Sequence, residues 1–217
     1  MSASHALEAP ARAQDEPADL PLKERLVTAT LDLLDETGIE SLTLRAIARR
    51  SGVSHGAPLR HFRSLADLLA EVAAHGFRLL DRSIAEAADA LPPGAGPLAR
   101  LRAAGAAYVE VAVQHPGLFG LMFRPDTIDV TNPRFGIDSS AAFERLLQHV
   151  RAQQDTGWYA DRDSRQLAGV VWAQVHGIAT LWAHRAFAGP IPDADLASMV
   201  ELSLDLGLGR LDDETPR

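Results

Sequence analysis

The sequence contains no cysteine. That excludes disulfides, thiolate metal ligands and thiol nucleophiles, and nothing left demands an oxidising compartment. Lysine is almost missing as well: twenty of the 21 basic residues are arginine, and Lys23 is the exception. There is no β-branched alternation and no Asn-Gly or Asp-Gly hairpin pair, so strands are not expected. The longest nearly apolar run, Leu167 to Ala183, is broken by Gln174, His176 and Thr180. It is too short for a comfortable bilayer span and reads as a buried helix. The first twenty residues carry acids and prolines but no apolar core of the kind a signal peptide needs, which points to a cytoplasmic protein with no membrane partner. No HExxH, Gly-rich phosphate loop or nucleophile elbow occurs. The eight histidines are scattered, and the pairs His55/His61 and His176/His184 lack the i,i+4 spacing of helical metal ligands. Neither a metal nor a cofactor is expected.

What is present is an ordinary globular composition over 217 residues, 47% apolar and 23% charged, enough for a sizeable core. The formal net charge is −8, which argues against a general nucleic-acid coat. The charge is unevenly spread. From Ser41 to Ala66 there is no acid at all, while Arg45, Arg49, Arg50, Arg60, Arg63, His55 and His61 fall within it. An acidic chain with one basic stretch suits a small, directed DNA contact.

The periodicity is helical almost throughout, which predicts an all-α fold of about nine helices. Residues 1–20 read as a disordered tail. Pro21 opens a first helix closed by Gly38. Ser41 or Thr43 caps a second, and Gly52 ends it. Ser54 caps a very short third helix reaching Phe62. Ser64 and Asp67 form a capping-box pattern for a long fourth helix, which runs to Leu91-Pro92-Pro93-Gly94. Further helices are expected from Pro97 to His115, from Gly117 to Phe123, from Ser139 to Thr156 and from Ser164 to Phe187. A last one is capped by Asp193 and ends near Gly207. The division that follows is a tail (1–20), a DNA-binding unit (21–66) and a ligand-binding and dimerisation unit (67–217), with the fourth helix as connector.

The stretch SLTLRAIARRSGVSHGAPLRHFRSLADLL (41–69) joins two short helices through Ser51-Gly52-Val53. Gly52 suits a positive φ and Val53 can pack between the helices. This is helix-turn-helix spacing, in which the second helix enters the major groove by its N-terminal residues. His55, Gly56, Ala57 and Pro58 would then sit at the groove floor, with Arg60, His61 and Arg63 near the phosphates. A simple helical hairpin with a solvated arginine face fits the same spacing.

Ile47-Ala48, Gly52-Val53-Ser54, Gly56 and His61-Phe62 resemble the motif of the tetracycline-repressor (TetR) family of bacterial transcriptional regulators. The likeness extends over about fifty residues from the first helix onward. Trp172-Ala-Gln-Val-His176-Gly177 and His115-Pro116-Gly-Leu-Phe-Gly-Leu-Met122-Phe123 are similar to one subgroup's C-terminal half. The resemblance implies a repressor that binds a palindromic double-stranded operator as a homodimer and is released by an unidentified small, largely apolar effector. It implies phosphate or base contacts at Thr43, Arg45, Ser54, Arg60, His61 and Arg63. Leu59 and Leu65 depart from the family's Tyr and Lys, and leucine can bind no phosphate.

The resemblance also implies a pocket enclosed by the fifth to seventh helices. Candidates for its wall are Tyr108, Phe119, Met122, Phe123, Phe143, Trp172, His176 and Trp182, aromatic and Met side chains that suit an apolar ligand. A buried His176 needs a partner, which could be a ligand atom, a backbone carbonyl or Gln174. The eighth helix is apolar nearly all round and the ninth carries Leu196, Met199, Val200, Leu202, Leu206 and Leu208. The two are expected to pair with their copies in a four-helix interface. A ligand is expected to tilt the fourth helix and change the separation of the recognition helices. An enzyme is the first competing reading, with Tyr108 and His176 its one titratable pair. A helical interaction module with weakened DNA binding is the second, with Leu59 and Leu65 in its favour.

Overall fold

Local capping chemistry sets where most of the elements begin. The computed structural model describes residues 21–209; the tail read at 1–20 lies outside them. The described residues form eight α-helices and no strand. Helix α1 (Leu22–Thr37) buries Leu26, Ala29, Leu33 and Leu34 on one face. In α2 (Leu44–Arg50), Thr43 Oγ1 accepts the Ala46 N–H at 3.1 Å, settling the choice of cap between Ser41 and Thr43. In α3 (Leu65–Asp89), Ser64 Oγ accepts the Asp67 N–H at 3.1 Å while Asp67 Oδ2 reaches back to the Arg63 N–H at 2.9 Å. That is a capping interaction running both ways across the first turn.

The second half holds α4 (Pro97–Gln114), α5 (Pro116–Met122), α6 (Pro133–Gln154), α7 (Ser164–Ala183) and α8 (Leu196–Leu208). Helix α3 is the spine, packing against α1 at one end and against α4, α5 and α6 along its length. At Gly76 the backbone of α3 is bare for a reason: a Cβ there would meet Met122 Sδ of α5 at 2.5 Å. Arg78 and Arg145 pair with Asp138 and Asp81, tying α3 to α6. Arg102 binds Asp205 at 2.7 Å and ties α4 to α8.

Three expectations need correction. The expected third helix is a single 3₁₀ turn, Pro58–Arg60, so nine helices become eight among the described residues. Pro58 has no N–H, so the bond that would extend an α-helix back onto Ser54 cannot form. The Ser54 carbonyl instead accepts from Ala57 at 2.9 Å, and no side chain caps the turn. Helix α6 starts six residues earlier than Ser139, because Asn132 Oδ1 accepts the N–H groups of Arg134 (2.9 Å) and Phe135 (3.2 Å) with Pro133 in the first position. Helix α8 is capped by Asp195, which takes the Ser198 N–H at 2.8 Å, rather than by Asp193.

Candidate DNA-binding face and ligand cavity

The turn between α2 and the 3₁₀ segment is built as the spacing requires. Gly52 sits at φ +67°, and Val53 donates its N–H to the Ala48 carbonyl at 3.0 Å. Arg25 of α1 clamps the turn by donating to the Ser51 carbonyl at 2.6 Å. Beyond it the chain divides into an inner and an outer side. Ala57, Pro58 and Phe62 are buried, whereas Ser54, His55, Gly56, Leu59, Arg60, His61 and Arg63 are exposed. Of the four residues expected at the groove floor, His55 and Gly56 therefore face outward. Ala57 and Pro58 turn in against the core and set the pitch of the turn.

The arginines of this region also divide. Arg50 pairs with Glu36 and lies 3.8 Å from Asp32, both on α1. Arg63 reaches Asp129 at 2.8 Å and Asp67 at 3.4 Å. Its hydrogen bond to the Asp67 carboxylate, with the charges of Asp67 and Asp129 behind it, holds the Arg63 guanidinium above its usual range. Arg45, Arg49 and Arg60 are exposed and make no ion pair among the described residues. With Thr43, exposed at the start of α2, they make up the exposed cationic rim of the two short elements that flank the turn. Leu65 packs partly against the core, so its departure from a basic residue is absorbed there. Leu59 is 56% exposed, an apolar side chain left on the outer surface.

A cavity of about 520 Å³ lies between α3, α4, α5, α6 and α7, in the size range of small-molecule sites. Its wall takes in Tyr108, Met122, Phe123, Phe143 and Trp172 of the expected set. Phe77 stands edge-on to Phe123 (5.6 Å) and to Phe135 (5.8 Å). Polar groups gather toward the solvent side: Ser139, Ser140 and the ion pair of Arg165 with Glu144. Arg165 also lies 5.7 Å over the Phe143 ring. Because Arg165 is neutralised by Glu144, the cavity offers an apolar body with a polar edge rather than an anion trap.

Phe119, His176 and Trp182 stand outside the wall. The Trp182 ring faces Phe187 at 6.4 Å. His176 completes a triangle of rings with Phe119 (5.3 Å, tilted) and Phe123 (4.6 Å, edge-on), and its partner is Tyr108, whose oxygen lies 2.7 Å from Nδ1. Trp172 Nε1 donates to the same hydroxyl at 2.9 Å. The indole nitrogen can only donate, so the Tyr108 oxygen is an acceptor toward Trp172, while the hydroxyl and His176 Nδ1 share one proton between them. Burial pushes the Tyr108 hydroxyl well above its ordinary value, opposed by the Trp172 bond, and burial lowers His176. Both are therefore neutral at pH 7. Gln174 is engaged elsewhere, donating to Ser203 on α8.

The sequence reading missed the contribution of α3 (Phe77, Leu80, Ile84) and of the first half of α6 (Phe135, Ser139). Nothing in a heptad-like apolar stripe separates a residue that fills a core from one that borders an empty space.

Comparison with known proteins agrees across both halves. Residues 26–72 match the model of bacterial regulatory proteins of the tetR family, and residues 101–206 match a tetracyclin repressor-like C-terminal domain. The HTH-type transcriptional repressor KstR of Rhodococcus jostii (strain RHA1) is 27% identical over 192 residues, covering 86% of this chain and 82% of that protein. A solved structure of a protein of unknown function from Rhodococcus sp. RHA1 is similar at a TM-score of 0.76, with 28% identity over 90% of this chain and 97% of the other. The TetR family regulator PfmR of Thermus thermophilus shares the fold at a TM-score of 0.63, with 18% identity over 86% of this chain and 98% of that one. A helix-turn-helix with an open cationic rim, followed by a cavity-bearing helical half, is thus matched in each part by the same group of proteins, and the chain belongs to the tetracycline-repressor family of DNA-binding bacterial transcriptional regulators.

Proposed function

We propose that this protein is a cytoplasmic, ligand-responsive repressor: a homodimer that holds a palindromic DNA site and lets go when a small, largely apolar molecule fills the cavity. In this reading residues 21–66 form the DNA reader and residues from 67 onward form the ligand-binding and dimerisation unit. The observation that carries it is the coexistence, in one helical framework, of an unpaired cationic rim and an aromatic-walled cavity of about 520 Å³. Thr43, Arg45, Ser54, His55, Arg60 and His61 are the groups proposed to meet DNA. The repressor sense is supported by the relative named as a transcriptional repressor.

The dimer is proposed to form through α7 and α8, the eighth and ninth helices of the sequence reading. On α7, Val170, Ala173, Gly177 and Leu181 recur every three or four residues on an open flank, with Val170 66% and Leu181 44% exposed. On α8, Leu202 is 58% and Leu206 80% exposed. A second copy would cover both flanks in a four-helix arrangement and would set two reading turns on one face of the duplex, roughly 34 Å apart. Binding rather than turnover is proposed for the cavity. Tyr108 and His176, the pair an enzyme would use, satisfy each other and Trp172.

The test is capture of sheared genomic DNA from the source organism by the purified protein, followed by sequencing, with sedimentation of the free protein alongside. Enrichment of one palindromic sequence by a dimeric species is expected. Captured fragments without a shared sequence would overturn the reading and favour a helical protein-interaction module.

A further inference from the structure

The end of the DNA-reading turn is fastened directly to the rim of the cavity. Asp67, 7% exposed, sits in the first turn of α3 and is the centre of the fastening. Its Oδ2 accepts the Arg63 N–H at 2.9 Å, and its Oδ1 accepts Asn132 Nδ2 at 2.8 Å and, at 3.4 Å, Arg63 Nη2. Arg63 continues to Asp129 at 2.8 Å, and the Asp129 N–H is donated to the Ala66 carbonyl at 3.0 Å. Burial alone would push the Asp67 carboxyl up. The bonds from Arg63 and Asn132 outweigh it and hold the group below the usual carboxylate range, so it is ionised at pH 7.

Asn132 is a two-ended residue. One end of its amide binds Asp67; the other caps α6, whose next two turns supply Phe135 and Ser139 to the cavity. An occupant pressing on Phe135 or Ser139 moves the start of α6, and with it the cap. The cap cannot shift without pulling on Asp67, and Asp67 holds both the backbone and the guanidinium of Arg63, three residues beyond the 3₁₀ turn that faces DNA. Packed helices pass small displacements on as rigid bodies, so a short polar link of this kind carries them without loss.

We infer that Asn132, Asp67 and Arg63 form a latch that transmits occupancy of the cavity to the DNA-reading turn, with Arg63 acting as a positioning residue rather than a phosphate ligand. The inference rests on the ligand-binding reading of the cavity. It gives a role to the loop between α5 and α6 and accounts for a buried Asp and Asn pair 65 positions apart in the chain.

The test uses the full chain and N-phenyl-1-naphthylamine, a neutral, apolar fluorescent molecule of a size the cavity can take. Fluorescence reports its binding, and amide exchange reports the Arg63 N–H that is bonded to Asp67. The key variant is Asn132→Ser. Serine keeps a side-chain oxygen to cap α6 but is too short to reach Asp67. Asp67→Asn leaves one acceptor oxygen where there were two, so it weakens the Arg63 N–H bond itself and serves as the reference for that bond when it is opened. Thermal unfolding checks that both variants are folded. In the wild type, saturation with the naphthylamine is expected to change the Arg63 exchange rate roughly tenfold or more, as for an opened local hydrogen bond. In Asn132→Ser the same affinity for the naphthylamine is expected, with the response at Arg63 lost. A merely structural role would alter exchange in the unliganded variant and leave the response to ligand intact. Binding without any response in the wild type, or a response in Asn132→Ser equal to that of the wild type, would overturn the latch alone. Failure of the naphthylamine to bind the wild type would overturn the cavity reading, and the latch with it.

Discussion

From Ser54 to Arg63 a single tight turn carries Ser54, His55, Arg60, His61 and Arg63 outward and relies on Ala57, Pro58 and Phe62 to hold it down. Between Phe77 and Val175, five helices face inward and leave a space unfilled. The first region is a surface made by neighbours in sequence. The second is a core with a piece left out, made by residues up to about a hundred positions apart. The turn can be altered at its tips without disturbing what supports it. The cavity shares its walls with the packing of α3, α4 and α6, and the first turn of α3 also holds Arg63 at the end of the reading segment. The region that reads DNA is therefore separable from the fold, and the region proposed to sense the ligand is not.

The sharpest way to break that contrast is to remove the second copy. Leu202→Asp with Leu206→Asp places two carboxylates on the open flank of α8. It should give a folded monomer by sedimentation, with operator affinity reduced by roughly a thousandfold or more, toward the non-specific level. A dimer surviving these changes would move the interface elsewhere.

Next in size is the core. Leu101→Ala, at a fully buried position on α4, is expected to cost about 2–5 kcal/mol in denaturant unfolding. By contrast Ala142→Leu, at the cavity wall, should change stability by less than about 1.5 kcal/mol while blocking N-phenyl-1-naphthylamine, because its added carbons enter space already empty. Equal costs at the two sites would mean that the cavity is closed in solution.

The DNA-facing arginines should behave in the opposite way. Arg45→Ala with Arg60→Ala should leave the unfolding midpoint unchanged. The slope of log affinity against log salt should fall by about 0.9 for each lost phosphate contact. Arg63→Ala should lower the slope little, since that side chain is already paired with acids of its own chain.

The smallest effect is a pH dependence confined to the helical half. Burial lowers His75, His149 and His176, with nearby cationic side chains assisting at the first two. The unfolded chain protonates these groups near pH 6.5, while the folded chain resists. As pH falls through that value the unfolded state gains protons that the native state refuses, so stability declines, and above it the groups contribute nothing. Thermal unfolding should show a lower midpoint at pH 5.5 than at pH 7.5. His176→Gln, which keeps a hydrogen-bonding group opposite Tyr108, should reduce the drop.

Sequence alone determined what depends on nearest neighbours. Thr43 and Ser64 announce helix starts because their hydroxyls accept an N–H three residues on, and Gly52 announces the turn because its φ is positive. The basic window 41–66 announces the DNA-facing end because no acid within it can cancel the charge locally. Where a non-neighbour intervened, the reading changed. Arg63 lies in that window, yet its acids arrive from Asp67 and from Asp129, 66 residues away. In the recognition segment the deciding signal was local instead: Pro58, in plain view, lacks the N–H that would have extended the turn into an α-helix. Tyr108, Trp172 and His176 were all legible as aromatic and polar groups on apolar helices. Only tertiary packing decided that they would bind one another, that Phe77 and Phe135 would border the cavity and that Trp182 would not. A helical stripe specifies which side of each helix faces inward. It does not specify whether the facing side chains meet, and that is fixed by how five helices sum their volumes at one place.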